Sequence, residues 1–200
     1  MASSFPTTAR FAGEQALTES SIHVSLTYDP LVSQSILDLV KSPSAGAIVL
    51  FAGTTRATFL DRHITHLAYS AYVPLALRTL LSIARYIKSA HNLVAIAITH
   101  RLGVVPIGEE SVLISVSSPH RKAAWLGGEE CLEKVKERVE IWKEEWFEDG
   151  GVWRANRDGA AGVKVADTQE RTSGDMAGEV AMERGADPVE AGIHSDSTKS

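Results

Sequence analysis

The spacing of apolar residues changes several times between Ile22 and Asn156 and then the pattern ceases, which limits both the extent and the class of the fold. Alternate apolar residues set one face of a strand against a core, whereas intervals of three and four do so for a helix. Ile22–Tyr28 (IHVSLTY) alternates and predicts a strand. Asp29-Pro30 then predicts a helix over Leu31–Val40, with Asp29 as N-cap and Pro30 at the first helical position. Ala47–Ala52 predicts a buried strand, Gly53–Arg62 a polar loop and Ile64–Tyr72 another strand. Pro74 opens a helix to about Ala90 in which Leu77, Leu80, Ala84 and Ile87 share a face. Leu93–His100 predicts a strand, Gly103–Gly108 a turn and Ser111–Ser117 a strand. A long helix is expected from about Pro119 to Trp146, since Leu132, Val135, Val139, Trp142 and Trp146 recur at intervals of three and four. A short piece, Gly151–Asn156, closes the domain. This order predicts an α+β fold, with helices packed on a mostly antiparallel sheet.

Residues 159–200 hold six glycines, no leucine and no aromatic residue, too little apolar surface to offset the entropy of ordering. They are expected to form a disordered acidic tail. Residues 1–20 are expected to be a disordered lead-in, because they lack the apolar core of a signal peptide. The folded domain is then 21–158. Of the net charge of −5, the tail carries −4, from eight acids and four bases, so a basic cluster in the domain would stand out. The acidic balance argues against general nucleic-acid binding, and the chain has no apolar run of membrane-spanning length. A single cysteine, Cys131, permits neither an intrachain disulfide nor a cysteine-built zinc site. A reducing cytosol is expected.

Ser117–Lys122 (SSPHRK) is the most informative local feature. Ser118 is placed to cap a helix, Pro119 to start it, and His120 and Arg121 fall in its first turn. Free N–H groups and the positive end of the helix dipole lie there, so each cation is unfavourable by a few tenths to about 1 kcal/mol. A bound phosphate or carboxylate reverses that cost, although a surface helix with unoptimised charges gives the same string. Lys136 and Lys143, seven residues apart on the expected helix, would project on nearly the same side about 10 Å apart. Solvated helix faces carry lysines in this way too, with Glu133, Glu137, Glu140 and Glu144 nearby. In FAGTTR (Phe51–Arg56) a buried strand runs into a loop arginine. His100-Arg101 suits a turn, His63 and His66 fall on opposite faces of a strand, and Cys131 reads as a small buried hydrophobe. No phosphate loop, dinucleotide fingerprint or nucleophile elbow is present.

Five stretches in this order resemble the molybdopterin synthase catalytic subunit family: GAIVLFAGTTR (46–56), LAYSAYVPLALRTL (67–80), ITHRLGVVPIGEESVLISVSSPHR (98–121), CLEKVKERVEIWKEE (131–145) and VWRANRD (152–158). The resemblance covers about Ile22–Asp158. It implies an α/β hammerhead-type fold and a central homodimer. A small ubiquitin-like sulfur-carrier subunit would dock at each end, completing a heterotetramer, and insert a C-terminal Gly-Gly thiocarboxylate. The implied substrate is precursor Z, cyclic pyranopterin monophosphate, which receives two sulfurs to form the dithiolene of molybdopterin, a step for which the resemblance implies no metal and no cofactor. Carried over by residue, Arg56, His120 and Arg121 would hold phosphate and polar pterin groups. Lys136 would be the principal catalytic lysine, and Lys143 would orient substrate and carrier terminus. Glu144 and Glu145 would complete that wall, Phe51 would support the pocket, and Arg157 would reach a neighbouring subunit's site.

The sequence departs from the family pattern at Thr54-Thr55, before the loop arginine, at Ser70 and at Glu140, while Gly127-Gly128 weakens the long helix by about 1 kcal/mol per glycine. An adaptor of the same fold, binding the carrier without turnover, is the alternative from another class. The joint presence of Arg56, His120, Arg121, Lys136 and Lys143 favours the enzyme.

Overall fold

The computed structural model describes residues 13–59, 61–148, 150–155 and 163–164. Arg157 and nearly all of the tail expected over 159–200 lie outside them. Continuous apolar character makes β6 (Ala95–Arg101) the centre of the first sheet. There it pairs in parallel with β2 (Ile22–Thr27) and antiparallel with β8 (Glu110–Ser118). β1 (Gln15–Glu19) and β3 (Ala47–Thr54) complete the order β1-β2-β6-β8-β3. Ile96, Ile98 and Val116 belong to a core shared with α2 (Val73–Ala90) and α3 (Arg121–Arg138). Ala95, Ala97 and Leu113 pack instead with Ile36 and Val40 of α1 (Ser33–Val40). The apolar stripe expected in α2, Leu77, Leu80, Ala84 and Ile87, is wholly buried.

The second sheet is built around β5 (Arg62–Ala71). It pairs with β4 (Thr58–Phe59), β7 (Gly103–Pro106) and β9 (Ile141–Phe147), and β9 continues to β10 (Gly150–Ala155) and β11 (Val163–Lys164). Every pairing in this sheet is antiparallel, as the α+β expectation requires. Among the described residues no helix is long and apolar enough to cross a membrane.

Four local expectations are corrected. Gln15–Glu19, inside the expected lead-in, pairs with β2 as an edge strand, and its Glu19 forms an ion pair with Arg85 of α2. Asp29 does not cap α1: that helix starts at Ser33, and the main-chain N–H of Asp29 donates to Thr27 Oγ1 at 3.1 Å. Parts of the two segments expected to be a loop and a turn pair with β5 as β4 and β7.

The fourth correction matters most for function. The expected helix over Pro119–Trp146 stops at Arg138, and Val139 turns to extended backbone (φ −77°, ψ 138°). Its residues satisfy both periods: the intervals of three and four noted above, and an alternation of Ile141, Lys143, Glu145 and Phe147 against Trp142, Glu144 and Trp146. Strand pairing on both edges, to β5 and β10, decides for the strand. Gly127 and Gly128, an apparent weakness of α3, lie where that helix crosses its neighbours. A Cβ at Gly127 would meet Leu93 at 3.2 Å, and one at Gly128 would meet Val49 at 3.5 Å.

Candidate active site

A cavity of about 460 Å³ opens between the two sheets beside the C-terminal part of α3. β3 contributes Phe51, Gly53 and Thr54, and β5 contributes Ile64, Leu67 and Tyr69. Lys143 and Glu145 of β9 stand beside Tyr69 and Leu67, their register partners on β5, and Leu132, Val135 and Lys136 of α3 complete the lining. Arg56, in the loop after β3, stands at the margin, exposed, with its guanidinium 5.6 Å from the centre of the Phe59 ring. Three cations from three separate elements thus reach one partly apolar cavity.

Lys136 and Lys143 do share a site, though not through helical spacing. Lys136 hangs from the last turn of α3, while Lys143 projects from β9 on the face that also carries Glu145. Lys143 Nζ lies 3.1 Å from Glu145 Oε1, with side-chain exposures of 17% and 2%. So buried a carboxylate requires a charged or hydrogen-bonding partner. Period two turns Glu144 to the other face, where its Oε2 accepts from Trp146 Nε1 at 3.2 Å, and it does not line the cavity. Phe51 does line it.

His120 and Arg121 stand apart. Both are exposed at the start of α3, His120 in the N-cap position with no side-chain capping bond. Ser118 Oγ accepts from the His120 main-chain N–H at 3.4 Å, so Ser118 contacts the helix start without capping its interior. Neither side chain lines the cavity. From Arg121 to Lys136 the helix rises about 22 Å, at 1.5 Å per residue. One small molecule does not touch both ends of that helix within one chain.

His100 is the lining residue that sequence reasoning assigned instead to a turn. It is 3% exposed, at the end of the central strand, and its Nδ1 lies 2.8 Å from the main-chain oxygen of Arg101. A carbonyl only accepts, so Nδ1 carries the proton and Nε2 keeps its lone pair. Burial pushes the pKa down to about 4 despite the opposing effect of the Arg101 carbonyl, so the ring is neutral. The detectable signal was a histidine inside a continuous apolar strand, where it must be buried and neutral or paired.

Cys131 is fully buried in α3. Burial, and secondarily the Glu130 carboxylate, pushes its thiol up to about 12. The thiolate needed for a sulfur relay is therefore absent near neutral pH. Among the described residues no three His, Cys, Asp or Glu side chains group as a metal site.

Two departures from the family pattern have local accounts. Thr55 is buried and its hydroxyl donates to the Val105 carbonyl at 3.4 Å, tying the arginine loop to β7. Glu140 Oε1 accepts from Thr79 Oγ1 at 3.2 Å, linking the turn before β9 to α2.

The family described as MoaE protein matches residues 26–138, more than half of the chain. The chain belongs to that family. A molybdopterin synthase catalytic subunit from Neurospora crassa is 62% identical over 151 residues, covering 74% of this chain and 73% of the relative. One from Sclerotinia sclerotiorum is 51% identical over 183 residues, covering 90% and 93%. Among solved structures, molybdopterin synthase from Staphylococcus aureus superposes with a TM-score of 0.62 at 35% identity, over 64% of this chain and 94% of that one. A complex of subunits 1 and 2 of molybdopterin-converting factor from Helicobacter pylori shares the fold, with a TM-score of 0.56 at 22% identity over 67% and 91%. Membership places the chain among the catalytic subunits of molybdopterin synthase, which are enzymes.

Proposed function

We propose that the cavity receives the thiocarboxylated C-terminal Gly-Gly of a small ubiquitin-like carrier together with precursor Z, and that sulfur passes from one to the other to build the dithiolene of molybdopterin. The observation that carries this reading is the meeting of Lys136, Lys143 and Arg56 at one cavity while the chain's one cysteine is sealed away. A sulfur-transferring protein whose own thiol is unusable must receive sulfur on a partner. Both that partner's terminus and the phosphorylated pterin are anionic, and the cavity offers cationic donors to anions.

The residue roles follow from position. The thiocarboxylate sulfur attacks a side-chain carbon of precursor Z that carries an oxygen of the cyclic phosphate; the C–S bond of an acyl–sulfur linkage forms as that C–O bond breaks, and the phosphate stays on the pterin as a monoester. Water then attacks the acyl carbon, so that carboxylate leaves on the carrier and sulfur stays on the pterin. The tetrahedral oxyanion of that hydrolysis forms beside Lys136, whose ammonium stabilises it and supplies a proton. Lys143, fixed by Glu145, orients the two reactants, and Arg56 holds the phosphate at the margin. Glu144 supports the same strand from its other face.

His120 and Arg121 fit this scheme only when a second copy presents them, since α3 holds them about 22 Å from Lys136. A homodimer supplies that copy. Trp125 and Leu126, 64% and 47% exposed one turn further along α3, give the same end of the helix the apolar character of an interface. With one carrier at each end the assembly is a heterotetramer, and the family complex of two different subunits supports the carrier's part in it. Arg157 is assigned to the neighbouring subunit's site on resemblance alone. The folded unit is the 21–158 domain extended by β1, and the cytosol is the compartment that keeps both carrier and cysteine reduced.

The test is reconstitution with thiocarboxylated carrier and precursor Z, with product read as the fluorescent oxidised pterin. Lys136→Ala should lower turnover by roughly a hundredfold or more, while the fold and carrier binding persist. A folded wild-type protein that binds the carrier and forms no product would support the adaptor instead.

A further inference from the structure

The cavity's cations explain how anionic groups are held and leave the heterocycle unread. Arg56, Lys136 and Lys143 only donate hydrogen bonds. One oxygen of Glu145 is engaged with Lys143 at 3.1 Å, and the Ser111 hydroxyl donates to the Gly53 carbonyl at 3.2 Å while its oxygen can still accept. A pterin presents ring and exocyclic N–H groups, which need acceptors once water is removed.

We propose that Nε2 of His100 is a fixed acceptor that takes an N–H of the pterin ring, making His100 a specificity-determining residue for the heterocycle and not for the phosphate. The ring lines the cavity, and among the described residues its Nε2 has no hydrogen-bond partner. Two contacts fix its direction: Nδ1–H to the Arg101 carbonyl at 2.8 Å, and an edge-on Tyr69 ring with centroids 4.9 Å apart at 70°. Orientation is thus set before any substrate arrives, which lowers the ordering cost of binding. Neutrality matters as well, because an imidazolium would donate at both nitrogens and repel a ring N–H. The inference rests on the sulfur-transfer reading, since it presumes a pterin in this cavity.

The two amide variants separate recognition from architecture. Asparagine places an amide nitrogen near Nδ1, so His100→Asn keeps the bond to Arg101 and deletes the acceptor. Glutamine reaches the Nε2 position, so His100→Gln keeps the acceptor and gives up the bond to Arg101. Both are assayed in the reconstituted enzyme with thiocarboxylated carrier, and calorimetry measures binding of precursor Z alone. His100→Asn should raise KM and Kd for the pterin by roughly ten- to a hundredfold. It should leave kcat and the KM for the carrier nearly unchanged, and His100→Gln should recover most of the affinity. The opposite order, with Asn benign and Gln harmful, would assign His100 to structure alone and overturn the proposal. Equal loss toward pterin and carrier would overturn it too, as general damage to the cavity. A wild type that neither binds precursor Z nor forms product defeats the sulfur-transfer reading, and this inference with it. A wild type that does both, paired with a folded His100→Asn that matches it, defeats this inference alone.

Discussion

Lys143 and Glu145 lie two residues apart on β9 and turn the same way, so that one buried ion pair, 3.1 Å long, forms part of the cavity wall. Removing one partner of a buried pair leaves an uncompensated charge and typically costs about 3–5 kcal/mol. Replacing both by apolar residues of similar volume is often nearly neutral. Lys143→Met and Glu145→Leu should therefore each destabilise the fold by about 3 kcal/mol. The double variant should regain most of that stability in urea melts and still form little product. Recovery of activity together with stability would assign the pair to folding only.

Sealing of Cys131 gives a chemical prediction. The thiol is fully buried, with its pKa pushed up to about 12 by burial and the Glu130 carboxylate, so a disulfide reagent should label it only in the unfolded chain. Cys131→Ala should cost about 1 kcal/mol through the small cavity it leaves, and sulfur transfer should persist. Loss of transfer in a folded Cys131→Ala protein would restore a persulfide relay and remove the main support for a partner-borne sulfur.

How the site could be read from sequence differs for each residue. The α2 stripe and the buried β6 strand are legible because one period fits each of them, whereas β3, expected to be buried, is an edge strand in which only Val49 is buried. Val139–Phe147 was not legible, because its side chains fit both periods and the choice rests on strand partners far away in sequence. Lys136 and Lys143 line one cavity, but not by the helical spacing expected of them: the geometry that joins them is a helix end meeting a strand. Glu144 and Glu145 show the limit of that reasoning: only the strand's alternation separates the residue that faces the cavity from the one that does not. His100 was hidden for the opposite reason. Its strand was legible, but that its ring borders a cavity depends on β5 and α3 closing over it.

The placement of Arg121 and Lys136 at opposite ends of α3 predicts complementation between copies. Arg121→Ala and Lys136→Ala proteins should each be nearly inactive alone. In a mixed dimer, one cavity combines the intact Lys136 of one copy with the intact Arg121 of the other. Equal mixing after subunit exchange should then restore roughly a quarter of wild-type activity, since about half the dimers are mixed and each has one complete site. No recovery in mixtures shown to contain mixed dimers would mean that each cavity relies on its own Arg121.

The protonation of His100 makes stability depend on pH, and the sign is fixed by its environment. Burial holds the folded-state pKa at about 4, below the ordinary value of 6.5, so the unfolded chain takes up this proton first as pH falls. The contribution is fully present above about pH 6.5, and it is lost progressively as pH falls through 6.5 toward 4. Between pH 7 and pH 5 this one group should remove about 2 kcal/mol of unfolding free energy. Urea melts at the two pH values measure it, with His100→Asn as the control, because asparagine does not titrate. The difference between wild type and variant across that interval isolates His100 from the other carboxylates and histidines. Parallel pH profiles would show that the ring gains its proton in the folded state as easily as in the unfolded chain, contrary to its seclusion beside the cavity.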